Sequence, residues 1–369
     1  FDGDGYDDLA IGVPGESISL GGDPPTEAIA GGAVNVLYGT NTGLSDAGDQ
    51  LFYQTLPNFD IPENYDNFGS VLAAGDFDGD GNDDLAIGTP YEDILGVEDT
   101  GTVFILYGSS GSGLSTSDLQ QFYQGAGGMQ DTRELHDRFG WSLAAGDFNH
   151  DGRDDLAIGI PYEWINAIEE AGAVAVMYGT ASGLSGSGNQ FFSQGAIETA
   201  EVGDHFGWSL AAGDFDGDGF DDLAVGSPDE DISGEDAVGA FSIIYSNGIS
   251  LSTTGSQFWH QDNMDVGANE PGDRIAFSLA AGDFNCDVID DLAIGAPYEA
   301  LGSIAEAGIV WEMHGTLTGL DDYDIIQWYQ TYDGAGLPIE YAETADRFGY
   351  SLASIRIDWQ KLFLPVILR

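Results

Sequence analysis

The chain of 369 residues carries 64 acidic side chains against eight lysines and arginines, a formal charge of -56 at neutral pH. A nucleic-acid partner requires a basic face that displaces counterions from phosphate and is excluded here, and an anionic membrane surface is disfavoured for the same reason. A hydrophobic content of 42% is enough for a core, and the acidic self-repulsion calls for cations or high salt rather than implying disorder.

Cys286 is the single cysteine, so no disulfide can form within one chain. No apolar run approaches the roughly 20 residues of a spanning helix; the longest candidate, Leu362 to Leu368, is short and contains Pro365. The chain opens at Phe1 inside a repeat and without an initiator Met, which reads as a processed or truncated form whose export signal would lie upstream.

From the N-terminus, FDGDGYDDL is the second half of a motif that recurs in full downstream. The full block is FGSVLAAGDFDGDGNDDLAIGTP from Phe68, FGWSLAAGDFNHDGRDDLAIGIP from Phe139, FGWSLAAGDFDGDGFDDLAVGSP from Phe206 and IAFSLAAGDFNCDVIDDLAIGAP from Ile275. Successive blocks start 71, 67 and 69 residues apart, a regularity that marks a repeat architecture. Each block supplies two short strands, SLAAG and DLAIG or close variants. After an acidic, variable loop come a third strand such as GTVFILYG from Gly101 and an outer aromatic run such as QQFYQ from Gln120. Four strands per period predict an all-β propeller of four-stranded blades, and 55 glycines leave almost no uninterrupted helical stretch.

Blades are expected over 68–138, 139–205, 206–274 and 275–345. A fifth, composite blade joins 1–67 to the first-strand segment 346–354, within a propeller domain spanning 1–358. The segment DRFGYSLAS from Asp346 matches DRFGWSLAA from Asp137, and the first strand missing from the N-terminal repeat is the one this segment provides. Unpaired strand edges are unfavourable, so the two ends are expected to meet, within one chain or between chains. Residues 359–369 form an apolar tail, WQKLFLPVILR, expected to dock in a groove.

Between the first two strands lies an Asp-x-Asp/Asn-x-Asp-Gly-x-x-Asp loop. It is filled by Asp76, Asp78, Asp80 and Asp84; by Asp147, Asn149, Asp151 and Asp155; and by Asp214, Asp216, Asp218 and Asp222. The last full repeat has Asp283, Asn285, Asp287 and Asp291, and the N-terminal one Asp2, Asp4 and Asp8. In the N-terminal repeat Arg356 falls where the first Asp is expected, leaving that site incomplete unless Asp358 substitutes. Alternate acidic side chains on a tight loop converge on one point, and several hard oxygens there suit Ca2+ better than the smaller, stricter Mg2+. Main-chain carbonyls of Asn82 and its equivalents Tyr6, Arg153, Phe220 and Ile289 complete the shell, giving three to five calcium ions. The Gly of the motif permits a positive φ, and Val288 in its place predicts a weaker fifth site.

At these residues the sequence resembles the FG-GAP repeats of the integrin alpha-chain propeller and its bacterial relatives. Phe-Gly stands at Phe68, Phe139, Phe206 and Phe348, and Gly-Ala-Pro at Gly295, with variants at Gly12, Gly88, Gly159 and Gly226. The resemblance covers nearly the whole chain and carries over the acidic positions above as calcium ligands. It departs at Val288, at Ile275-Ala276 and in having fewer repeats than the usual seven blades. It implies an extracellular or surface-displayed, non-enzymatic adhesion, scaffold or assembly module whose partner is a surface protein, a glycan or another copy of itself.

The alternative is a propeller serving as platform for a carbohydrate-active enzyme, a polysaccharide lyase or hydrolase. No nucleophile elbow, phosphate loop or paired-Cys motif is present. Glu16, Glu92, Glu163, Glu230 and Glu299 recur after the Gly-x-Pro turn, read as bonding loop amides in preference to a ring that captures a cationic ligand. Trp141, Trp208, Phe277 and Tyr350 share one repeat position, read as packing between blades in preference to a sugar platform. The five histidines lack metal spacing and read as surface or edge residues.

Overall fold

A computed structural model describes residues 1–353 except 23–24, 57–58, 60, 265 and 331–341. Four four-stranded antiparallel sheets follow one another as blades two to five. Blade three is representative: its strands run Ser142–Gly146, Asp155–Ile160, Ala173–Tyr178 and Ser185–Ser193, in that order from the axis outward. The second strands Asp84–Thr89, Asp155–Ile160 and Asp222–Ser227 are buried at every residue. Each lies in the middle of a sheet that is covered on both faces, which explains why they read as continuous apolar runs instead of alternating.

The core is a series of seams between blades. Val103, Ile105 and Tyr107 of blade two pack against Leu156, Ile158 and Met177 of blade three. Phe139, Phe206 and the other block-opening aromatic Phe68 are wholly buried, each contributing about 1.5–3 kcal/mol of apolar burial.

The Phe-Gly and Gly-x-Pro motifs meet at these seams. Gly140 donates its N–H to the Gly159 carbonyl of its own blade at 3.2 Å. On the other side, a Cβ added to Gly159 would stand 2.1 Å from the Gly207 carbonyl oxygen of the next blade. Glycine is required there because two backbones approach with no room for a side chain. The substituted pair Ile275-Ala276 keeps the arrangement, with Ala276 held at φ 60°.

A hydroxyl–amide clasp also crosses each seam. The Tyr107 hydroxyl donates to Gln120 Oε1 and accepts from the Leu184 N–H of blade three at 2.9 Å, while Gln120 Nε2 donates to the Leu184 carbonyl at 3.3 Å. Tyr38, Tyr178 and Tyr245 repeat it with Leu114, Leu251 and Leu320. Blade five carries His314 and Ile326 at the corresponding places.

The N-terminal repeat forms a three-stranded sheet, Leu9–Val13, Ala33–Tyr38 and Ser45–Phe52, as expected for a blade without its inner strand. A short hairpin, Ile18–Gly22 with Pro25–Ala28, occupies what the sequence suggested was an acidic loop. The first-strand segment expected at 346–354 starts in register, Phe348 N–H on the Ala307 carbonyl at 3.0 Å and Ser278 Oγ on the Gly349 carbonyl at 2.7 Å. Residues 351–353 form no strand ladder, and 354 and the tail 359–369 lie outside the described residues. Leu9 and Ile11 are 41% and 40% exposed, uncovered by any described blade, whereas Leu85 and Ile87 at the same places are buried.

Candidate metal loops and the opposite aromatic face

Each loop between first and second strands is organised by its own amides. In blade two Asp76 Oδ1 accepts from Gly79 N–H at 2.8 Å and Asp80 N–H at 3.0 Å, and its Oδ2 from Gly81 N–H at 2.9 Å. Asp78 Oδ1 accepts from Asp80 N–H at 3.0 Å and Asp80 Oδ1 from Asn82 N–H at 2.9 Å. Blades three and four repeat this about Asp147 and Asp214. In blade five Val288 takes the glycine's place at φ 79°, 85% exposed, and still donates to Asp283 Oδ2 at 3.0 Å. The β-branched residue thus adopts the positive φ it disfavours, and the loop keeps its shape at a cost in strain.

The last Asp of each motif is buried and ties the loop to the third strand. Asp84 Oδ1 accepts from Gly108 N–H at 2.8 Å and Oδ2 from Phe77 N–H at 2.9 Å. Asp155 Oδ1 accepts from Gly179 N–H at 2.9 Å and Asp222 Oδ1 from Ser246 N–H at 2.8 Å. Burial pushes Asp84, Asp155 and Asp222 up to about 8, with neighbouring loop carboxylates adding to the rise, and Asp291 up to about 6.

Carboxylate oxygens of Asp76, Asp78 and Asp84 lie within 4.8 Å of one another, as do those of Asp214, Asp216 and Asp218. Asp155 Oδ2 is buried with no hydrogen-bond donor. An all-oxygen, multiply anionic set of the kind in blades two and four suits a hard divalent cation. In the N-terminal repeat Asp2 and Asp4 organise their loop in the same way, and Asp8 Oδ2 accepts from the Asp2 N–H at 3.3 Å.

Three features escaped the sequence reading. The penultimate acid of each motif links neighbouring loops: Asp154, Asp221 and Asp290 accept from the N–H groups of Asp76, Asp147 and Asp214 at 2.9, 3.0 and 3.1 Å. The repeated Asp-Asp pair was its visible signal. Asp291, Glu312 and His314 form a further cluster in blade five, the His314 Nε2 being 3.3 Å from Glu312 Oε1. Glu92, Glu163, Glu230 and Glu299 do have a repeated structural role, but their partners are glutamine side chains, Gln54, Gln124, Gln194 and Gln261, instead of loop amides. Glu16 is exposed.

The repeated aromatics do pack between blades, and they stay partly exposed. Trp141, Trp208, Phe277 and Tyr350 touch one another in sequence, with ring centroids 4.8, 5.3 and 4.7 Å apart. They stand just before the inner strands, at the end of the axis opposite the loops. Arg138 lies over Tyr162 at 4.1 Å and Tyr91 at 4.9 Å, and Arg274 and Arg347 lie over Tyr298 at 5.3 and 4.8 Å. His205 sits beside them, half-buried, with Nδ1 2.8 Å from Asp229.

Fold and site together define an all-β propeller built on acidic hairpin loops. The FG-GAP repeat model matches residues 1–30, 68–106, 139–177, 206–244 and 276–313, half of the chain, and the protein belongs to that family. It is 30% identical over 303 residues to integrin alpha-8 of Gallus gallus, covering 78% of this chain and 25% of that protein. It is 38% identical over 165 residues to phosphatidylinositol-glycan-specific phospholipase D of Rattus norvegicus, covering 44% of this chain and 19% of the enzyme. A rhamnogalacturonan lyase of Bacillus licheniformis superposes with a TM-score of 0.40 at 13% identity, over 84% of this chain and 60% of the lyase. The chain thus spans about a fifth of the length of the phospholipase.

Proposed function

We propose that the protein is an extracellular propeller stabilised by calcium in its hairpin loops, and that it recognises a surface protein or glycan without catalysing a reaction. Calcium held by Asp76, Asp78, Asp80 and Asp84, and by the equivalent sets in the other blades, offsets the repulsion among carboxylates crowded at one end. Propeller relatives among the integrin alpha chains support the placement outside the cell.

The observation that carries the recognition role is the opposite end of the axis. Three of the chain's eight basic residues, Arg138, Arg274 and Arg347, are stacked there on partly exposed tyrosines beside the run from Trp141 to Tyr350. Arg274 and Arg347 are paired with Asp229 and Glu306, so on a chain of net charge -56 the Arg138 guanidinium and the flat aromatic faces mark a surface for a partner that stacks and carries an acidic group. The test is a glycan and surface-protein array run in calcium, beside an activity screen on acidic polysaccharides. Binding that Trp141→Ala and Arg138→Ala abolish, with no turnover, supports the proposal. Turnover of a polysaccharide, or binding indifferent to both substitutions, refutes it.

A further inference from the structure

At the end of the blades opposite the loops, carboxylates are buried again in a different constellation. Where the chain crosses from blade two to blade three, Glu134, Asp137 and Glu163 bring carboxylate oxygens within 4.8 Å of one another. Asp137 is 0% and Glu163 1% exposed, and Glu134 is at the surface. Asp137 Oδ2 accepts from the Glu134 N–H. Gln124, itself 1% exposed, reaches over from blade two and donates Nε2 to Glu163 Oε2 at 2.6 Å. This turns its amide into the cluster.

Two acceptor atoms here have no donor: Asp137 Oδ1 and Gln124 Oε1. The neighbouring imidazole of His136 is engaged with Asp99 Oδ2 at 3.2 Å. Burial drives Asp137 up to about 7 and, with the charge of Asp137 added, Glu163 up to about 9, so the pair is held together against its own repulsion. One proton shared between the two carboxylates would relieve that repulsion but would leave Gln124 Oε1 unsatisfied. A single cation would bridge the two carboxylates and satisfy Asp137 Oδ1, beside a glutamine whose own amide oxygen lacks a donor.

We propose that this seam is a second kind of divalent-cation site, separate from the hairpin loops, in which calcium is held by Asp137, Glu163 and Gln124 Oε1 and reached from solvent past Glu134. Calcium is the fitting ion because it accepts irregular sets of carboxylate and amide oxygens, where magnesium demands a near-ideal octahedron. Because Gln124 belongs to one blade and Asp137 and Glu163 to the next, the ion would pin adjacent blades at the end the loops do not reach. The preceding seam gathers Glu63, Asp66 and Glu92 in the same way.

The proposal is independent of the recognition role. Its test counts calcium bound per chain by native mass spectrometry in the wild type, in Glu163→Gln, in Asp137→Asn and in the loop variant Asp218→Ala. Each seam variant is expected to lose one equivalent and keep the loop ions. Loss in the loop variant alone overturns the seam site, whereas loss in the seam variants alone supports it and counts against the loops. If both seam variants fail to fold, calcium counting on Gln124→Ala decides: loss of one equivalent with the loop ions kept supports the site, and an unchanged count overturns it.

Discussion

Gly159→Ala is the sharpest probe of how the blades fit. A Cβ at this position would lie 2.1 Å from the Gly207 carbonyl oxygen and 2.1 Å from Ser142 Oγ. The two obstacles are themselves bonded, Ser142 Oγ donating to the Gly207 carbonyl at 2.7 Å in a buried seam. Forcing backbone apart in a packed core costs about 1–3 kcal/mol. Orphaning the buried hydroxyl or carbonyl adds about 1–3 kcal/mol. The expected loss is therefore about 2–6 kcal/mol, a large part of a domain's stability. Gly15 is the matched control: a Cβ there meets nothing within 4 Å, and its φ is not in the left-handed region. Gly15→Ala should leave stability unchanged or raise it by about 0.4–1 kcal/mol through the unfolded chain. Both are read by urea denaturation in saturating calcium. A Gly159→Ala loss below about 1 kcal/mol, the size of an ordinary surface change, would refute the close approach of Phe-Gly and Gly-x-Pro backbones.

Tyr107→Phe removes the hydroxyl shared by Gln120 and Leu184 and should cost about 1–3 kcal/mol; hydrogen exchange at the Leu184 amide should accelerate, and unchanged protection would count against the clasp. Val288→Gly relieves a β-branched residue at φ 79° and should raise stability by about 1 kcal/mol and tighten calcium binding at the fifth loop, both visible by calorimetry; a loss on either count would contradict the strain. In chelator, stability should fall from pH 5 to pH 9. Asp137 and Glu163 rise on folding from 3.8 and 4.5 to about 7 and about 9, so the folded chain holds more protons across that interval and loses the advantage as pH climbs through the folded values. A flat profile would show that the pair is not buried together.

The blade period, the four-strand unit and the loops were legible because all three rest on local spacing that repeats along the chain. What depends on direction was not. Trp141 and its equivalents stand just before each inner strand, and spacing alone cannot tell that these rings touch from blade to blade while staying partly exposed. Glu163 was legible as a repeated structural residue, but its partner Gln124, the last residue of the outer aromatic run, lies 39 residues away on the preceding blade, and spacing does not pair the two. Asp154 carries no local signal of its own, because its partner, the Asp76 N–H, comes from the preceding blade. The hairpin from Ile18 to Ala28 has neither a strand-length apolar run nor a counterpart in other repeats.

The central claim, that cations hold this acidic ring together, is tested most directly by calorimetric unfolding with calcium, with chelator, and with calcium restored. Each loop site at a hundredfold excess over its Kd would add about 2.7 kcal/mol. The melting temperature should therefore drop by many degrees in chelator and return with calcium but not with magnesium. A transition that chelation leaves unmoved would contradict the claim.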